Sequence, residues 1–189
     1  MKRLSSLFPL IVVALLAGAS YWLQYIVQQS RPGGLGVNRH DPDAYIEHFE
    51  IERFGQDGRL LSRLSAPKAL HYPDNDIADM TTPRMELNGS ERVTTLSSDR
   101  AVASNTEQKV VMTGNVRGLQ AATADRPEQT LSTEELTVLT DDQIAITDKP
   151  VVVTQGKSRL EGVGAEWNNI TGVLKMNQAR ATMPPKKGK

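Results

Sequence analysis

The sequence predicts an all-β domain, built as a jelly-roll-like two-sheet β-solenoid and preceded by one N-terminal transmembrane helix. Three observations support this fold class. An uncharged apolar segment occupies residues 7–27, a short motif recurs four times in the rest of the chain, and apolar residues alternate with polar ones inside the repeats. Alternation with a period of two is typical of strands that bury one face.

The N-terminal segment has the length and composition of a membrane anchor. No charged residue lies between Arg3 and Arg31, and at about 1.5 Å per residue the apolar segment is roughly 32 Å long as a helix, enough for a bilayer core. Lys2 and Arg3 precede it, so the N-terminus is expected in the cytoplasm and the remainder is exported. A signal peptide cleaved after Ala19 is the alternative. The apolar character continues to Val27, which favours an uncleaved anchor.

Composition divides the rest of the chain into three parts. Residues 28–41 hold Pro32 and three glycines and predict a flexible linker. Residues 1–27 comprise the cytoplasmic end and the helix, and residues 42–183 form the expected β domain. Residues 184–189 are predicted to be a disordered basic tail. The β domain has 15 basic against 21 acidic side chains. This excess of acid argues against a nucleic-acid partner, because phosphate neutralisation dominates such binding.

A repeated motif organises the β domain. Each unit begins with a leucine, continues through a polar turn, and has a second apolar residue 15 or 16 residues after the leucine. A third element follows 19 residues after the leucine, and two of its four members are proline. Proline is confined to strand starts, edges and bulges, so its recurrence predicts a shared corner where strands kink. These third elements are Pro83, Asn115, Pro150 and Ala179.

Stacked pairs of bent strands predict two sheets that face each other across an apolar seam. A parallel β-helix is the alternative, but it requires more strand-like segments than the repeats contain. A first strand is expected at residues 45–54, joined by an Asp57-Gly58 turn to the first repeat. The first and last strands are expected to have open edges, and open edges invite strand addition by a similar protein.

Several short motifs give this sequence a family resemblance. Asp-Pro at 41–42 precedes the first strand, Gly-Arg-Leu at 58–60 leads into Leu-Ser-Ala at 64–66, and His-Tyr-Pro-Asp at 71–74 leads to Thr-Pro at 82–83. In this order, and behind a short N-terminal anchor, they resemble the LptC family. Members of that family are single-span inner-membrane proteins of lipopolysaccharide export in Gram-negative bacteria. The resemblance extends from the anchor to the end of the β domain.

The resemblance implies a periplasmic jelly-roll domain, held at the inner membrane, that binds lipopolysaccharide with its acyl chains between the sheets. It also implies that the protein receives lipopolysaccharide from the LptB–LptF–LptG ABC transporter complex at the N-terminal edge and passes it to LptA at the C-terminal edge. Partner-contacting residues are then expected at Tyr45, Gly58, Gly156 and Met176. A structural adaptor of the cell envelope that binds no lipid is the alternative function.

The alternation indicates which residues face the interior between the sheets. The set is rich in Met, Val and Ile, and it suits either an ordinary core or an apolar groove for acyl chains, whose burial gains about 0.8 kcal/mol per CH₂. The resemblance adds Phe49 and Met80 as lipid-facing positions. The candidate lipid-binding residues are Phe49, Ile51, Met80, Val102, Met112, Leu136, Val138, Ile144 and Ile146.

The sequence contains no motif for catalysis or for a cofactor. It has no cysteine and three histidines, which argues against thiolate or histidine-rich metal sites. The acidic pairs at 134–135 and 141–142 would suit a carbohydrate-active enzyme, but solvated turn charges explain them as well. The aspartates at 74, 76 and 79 lack the glycine and glutamate of a calcium loop. We therefore predict a non-enzyme without cofactor or metal.

Overall fold

The computed structural model describes residues 8–29, 40–89, 92–104, 106 and 108–183. Two compact units are present, Met1–Arg39 and His40–Lys189. Most of the predicted linker, at 30–39, and the predicted basic tail, at 184–189, lie outside the described residues.

The described residues of the first unit form the helix α1 (Phe8–Gln29). Pro9 lies in its first turn, where the missing N–H would have had no intrahelical partner. Large apolar side chains along the helix are exposed, with Leu15 at 69% and Tyr21 at 74%. Within the residues that the structure describes, no helix combines the length and the apolarity that a bilayer crossing requires.

The described part of the second unit is built from strands, with turns and loops between them. Alternating apolar and polar residues form the long strands because one face of each is buried and the other is wet. The strands are β1 (Ala44–Phe54), β2 (Leu60–Tyr72), β3 (Ile77–Thr81), β4 (Arg84–Asn88), β5 (Val93–Ser97), β6 (Arg100–Ser104), β7 (Lys109–Gln120), β8 (Gln129–Leu139), β9 (Ile144–Gln155), β10 (Ser158–Asn168), β11 (Val173–Met176) and β12 (Arg180–Thr182).

All strands belong to one antiparallel sheet that bends into two facing layers. Residues 68–72 of β2 pair with β3, whereas residues 62–65 pair with β4. In β7, residues 109–113 pair with β6 and residues 117–120 pair with β5. We call the layer with β3, β6 and β11 layer A, and the layer with β4, β5 and β12 layer B. The β-helix alternative is wrong, because every pairing is antiparallel, and the two predicted sheets are layers of one continuous sheet.

The predicted corner is present where strands pass from one layer to the other. Pro83 separates β3 from β4, and Asn115 follows a bulge at Gly114, whose φ of 76° glycine adopts without strain. Pro150 is the first residue of β9 that pairs in layer B. Ala179 lies between β11 and β12. The periodic third element of the repeat therefore marks the bend.

Two apolar clusters fill the space between the layers. The first joins Met80 and Met112 of layer A to Met85 and Leu96 of layer B, all of them at most 1% exposed. Each such side chain stabilises the fold by about 1.5–3 kcal/mol through burial. The second cluster lies in the C-terminal strands and contains Leu131, Val151, Val153, Ala165 and Trp167.

The sheet has a free edge at each end of the described second unit. β1 pairs with β2 along its length, from Ala44 opposite His71 to Phe54 opposite Leu60. β11 and β12 pair with β10. Among the described residues, neither β1 nor β11 and β12 has a second neighbour. Both edges thus offer backbone N–H and C=O groups for pairing with another chain.

Candidate functional site

A cavity of about 610 Å³ opens between the layers in the N-terminal half, on the side opposite the corner. Its size lies within the range of small-molecule sites, about 300–1,000 Å³. Strands β1, β2 and β4 form one wall, and β3, β6 and β7 form the other. Apolar side chains from both layers line its inner part: Leu64, Met85, Ala78, Ala103 and Val110. We call it the N-terminal cavity.

The mouth of the N-terminal cavity is charged. Arg53 of β1 reaches across from layer B, donates to the Thr140 hydroxyl through Nη1 at 2.9 Å, and pairs with Asp141 through Nη2. Both members of this ion pair are well exposed to solvent, so it contributes only about 0–1 kcal/mol to stability. The cavity therefore has apolar walls, a polar rim, and one weak polar bridge across its opening.

His71, also at the rim, links the start of β1 to the β2–β3 turn. Its Nδ1 lies 2.7 Å from an Asp43 carboxylate oxygen and its Nε2 lies 3.3 Å from an Asp76 oxygen. The hydrogen bond to Asp43, then that to Asp76, raises the pKa of His71 above its usual value. Protonated His71 thus holds the edge strand against the turn.

This pKa direction predicts a pH dependence for the attachment of β1. Because the folded-state pKa of His71 is raised, its stabilising contribution is complete below the unfolded value of 6.5 and is lost as pH rises through the folded value. NMR titration of the His71 imidazole should give a midpoint above that of the unfolded chain. The contribution should be absent from His71→Gln, and an unchanged pH profile of unfolding in that variant contradicts the prediction.

In the C-terminal half, a buried polar cluster ties the two layers together on the open side. The Thr94 hydroxyl of layer B donates to Asn169 Oδ1 at 2.7 Å, and Asn169 Nδ2 donates to Gln143 Oε1 at 2.8 Å. Gln120 Nε2 donates to the Thr94 hydroxyl at 2.8 Å. All four side chains are at most 9% exposed. We call this group the interlayer polar cluster.

Six of the nine predicted lipid-facing residues point into the interior. Met80, Met112, Leu136 and Val138 are at most 1% exposed and belong to the first apolar cluster, and they are not among the residues that line the N-terminal cavity. Ile51 lines that cavity and is exposed because it lies on the edge strand. Phe49 packs on the cluster and lines a smaller cavity of about 360 Å³.

The inward prediction is wrong for Val102, Ile144 and Ile146. Val102 pairs with Asp79 on the outer face, because its neighbours Ala101 and Ala103 contribute to the core. Along β9 the buried residues are Ala145 and Thr147, which turns both isoleucines outward and leaves Ile146 39% exposed. In these strands a small or polar residue faces the core while a larger apolar residue faces out.

The predicted partner-contacting residues lie near the two edges. Tyr45 is 55% exposed on β1, and Gly58 forms the β1–β2 turn with a φ of 77°. Gly156 forms the β9–β10 turn, where an added Cβ would approach the Pro127 ring to 3.3 Å. Met176 ends β11 and packs on the second apolar cluster. Their roles in binding stay predictions.

The cavity-lining residues Leu64, Met85, Ala78, Ala103 and Val110 were not among the predicted sites. Leu64 begins the first repeat, so the repeat contained a signal for it. The two alanines line a cavity because small side chains leave the space between the layers unfilled. That space depends on the layer separation, for which the sequence pattern has no signal.

The comparisons with known proteins agree with this geometry. The family model described as "LptC: Lipopolysaccharide-assembly, LptC-related" matches residues 10–183. No curated protein matches the chain. The fold is similar to the crystal structure of LptH from Pseudomonas aeruginosa, described as the LptA-homologous periplasmic component of the conserved lipopolysaccharide transport device. The TM-score is 0.53 at 11% sequence identity, over 66% of this chain and 95% of that chain. With a bent antiparallel sheet, two free edges and a family match over nearly its whole length, this chain belongs to the LptC-related family of lipopolysaccharide-assembly proteins.

Proposed function

We propose that this protein is a membrane-anchored transfer protein that receives lipopolysaccharide from the LptB–LptF–LptG ABC transporter complex and hands it to LptA. The observation that carries the proposal is the N-terminal cavity, an apolar space between two layers in a member of a lipopolysaccharide-assembly family. The chain works at the periplasmic side of the inner membrane. Movement of the lipid requires no catalytic step here, and the transporter supplies the energy.

The lipid site of the proposal is the N-terminal cavity. Leu64 and Met85 form its wall in layer B, and Ala103 lies opposite in layer A. An acyl chain needs contiguous apolar surface and no precise polar geometry, and its burial gains about 0.8 kcal/mol per CH₂. Arg53 crosses the opening by a weak, exposed bridge, so a chain entering from the side displaces little stabilising interaction.

The two free edges supply the docking surfaces of the proposal. β1, which carries Tyr45, receives the transporter at the N-terminal edge, and β11 and β12 receive LptA at the C-terminal edge. An added antiparallel strand satisfies the unpaired backbone groups of either edge. The likeness to an LptA-homologous fold supports this pairing, because two sheets of the same bend can continue each other.

In this proposal, helix α1 attaches the protein to the membrane. The exposed side chains of Leu15, Leu16 and Leu23 present apolar surface, and Tyr21 and Trp22 are exposed beside them. Aromatic residues of this kind prefer the membrane–water interface. Attachment through α1 would hold the sheet at the inner membrane, within reach of a transporter.

Photo-crosslinking at neighbouring positions of β6 tests the lipid site. A crosslinking amino acid at Ala103, which lines the cavity, should capture lipopolysaccharide in membranes that contain the transporter and ATP. The matched control is Val102, one residue away on the outer face, where capture should be at least about tenfold weaker. Equal capture at both positions rejects the groove as the lipid site, whereas no capture at Ala103 rejects it and favours the adaptor that binds no lipid.

A further inference from the structure

A second cavity, of about 550 Å³, lies in the C-terminal half and differs in chemistry from the first. Its wall in layer B comes from the ends of β7 to β10, and its other side from the turn after β10 and from the loop 121–128. Amide, hydroxyl and charged side chains dominate its lining. We call it the polar chamber. The proposed lipid site makes no use of it.

The floor of the polar chamber is a row of polar side chains across four adjacent strands. Gln120 pairs directly with Gln129, Gln129 with Gln155, and Gln155 with Ser158. Residues directly opposite in antiparallel strands share a face, and Gln120 is 9% exposed on the inner face. The row therefore points into the space between the layers.

Three members of this row have no protein partner in the described part of the chain. The side chains of Gln129, Gln155 and Ser158 form no hydrogen bond there, whereas that of Gln120 donates to Thr94. Each glutamine offers two donors and an acceptor, and the serine hydroxyl offers one donor and acceptor sites. Gln129, Gln155 and Ser158 thus present free hydrogen-bonding groups to one cavity.

A half-buried cation, Arg92, also lines the chamber. Arg92 Nη2 donates to the carbonyls of Gln120 and Ala121 at 3.0 Å and to that of Pro127 at 3.4 Å. Its Nε is buried without a hydrogen-bond partner among the described residues. Arg92 therefore places a positive charge in the lining of the chamber.

We propose that the polar chamber binds the saccharide part of the transported lipid. Free amides and a hydroxyl in a row match the closely spaced hydroxyls of a sugar, and Arg92 suits an anionic substituent on it. An acyl chain is disfavoured there, because it would remove water from these polar groups without forming hydrogen bonds to them. The identity of the cargo rests on the proposed function. The chamber itself is an additional contact, separate from the apolar cavity.

Titration calorimetry with deacylated lipopolysaccharide as the probe tests the proposal on the full chain in detergent micelles. The wild type should bind, the double variant Gln129→Leu/Gln155→Leu should bind about tenfold more weakly, and the milder Ser158→Ala about threefold more weakly. The matched control is Gln56→Leu in the exposed β1–β2 turn, which should bind like the wild type. Circular dichroism checks that each variant is folded.

Two results overturn the saccharide site: no binding of the probe by the wild type, or equal binding by the folded Gln129→Leu/Gln155→Leu variant. The crosslink from Ala103 to intact lipopolysaccharide separates this outcome from failure of the proposed function. If that crosslink forms but the probe does not bind, the chamber proposal alone fails. If the probe binds as expected but the crosslink is absent, the saccharide site stands and the apolar lipid site fails.

Discussion

Replacing Gly162 with valine is expected to detach the C-terminal edge of the sheet and to weaken the proposed binding of LptA there. Gly162 lies on the inner face of β10 under the chain that leaves β11. An added Cβ would come within 2.7 Å of Met176 Sδ and 2.8 Å of the Asn177 carbonyl oxygen. The methionine side chain can move, but the carbonyl is held, because it accepts from the N–H of Val163 at 3.2 Å. The clash is therefore relieved by displacement of the backbone.

Such a displacement removes the proposed docking surface without emptying the core. Overpacking of this kind costs about 1–3 kcal/mol, which here falls on residues 173–182 rather than on the whole sheet. Hydrogen exchange should show loss of protection in that segment, and calorimetry with LptA should show binding weakened at least about tenfold. Glu161→Val is the matched control, because Glu161 is exposed on the outer face of the same strand. If the segment loses protection but LptA binds as tightly as to the wild type, LptA docks at another surface.

The N-terminal edge and the hairpins were predictable because their signals are local. Asp57-Gly58 forms the predicted turn, with the Gly58 N–H donating to the Gly55 carbonyl at 3.0 Å. The polar segments at 73–76 and 140–142 form the turns before β3 and β9. Turn chemistry of this kind is decided by a few adjacent residues, so no knowledge of the layers is needed.

The direction in which a strand residue points, to the core or to solvent, was predictable only where the two faces of the strand differ in polarity. Met112 and Thr113 of β7 show the alternation clearly, and Met112 is buried. In β9 both faces are apolar or small, and the isoleucines were assigned to the wrong side. Bulges add a second difficulty. In β8, Leu131 and Leu136 are both buried although five residues separate them, because the register shifts between them. An odd spacing reverses the alternation, so one half of a strand does not predict the other.

The two cavities were not predictable because they depend on how the layers sit over each other. Ala103 and Leu64 line an opening, whereas Met80 and Met112 fill the core, although all four lie between the layers in the structure. Polar contacts between residues far apart in the sequence were not predictable for the same reason. Thr94 and Asn169 are 75 residues apart and meet only when the layers close. Fold class follows from periodicity, whereas site identity follows from packing across the interior.

Replacing Asn169 with leucine is expected to destabilise the fold by about 2–6 kcal/mol. The Asn169 side chain accepts from the Thr94 hydroxyl and donates to Gln143 Oε1, so its loss leaves two buried groups unpaired. Each unpaired group costs about 1–3 kcal/mol, a large share of the roughly 5–15 kcal/mol that holds a typical domain folded. Urea denaturation should show a lower midpoint with an unchanged slope.

The interlayer polar cluster is expected to hold the layers together because its bonds are directional, unlike the apolar contacts beneath them. If so, Asn169→Leu should also raise hydrogen exchange at the β8–β9 turn, where the Gln143 carbonyl accepts from the Asn169 N–H at 3.0 Å. Asn75→Leu, in an exposed turn, is the control and should change stability by no more than about 0.5 kcal/mol. A variant at Asn169 as stable as this control would mean that the apolar clusters alone close the C-terminal half.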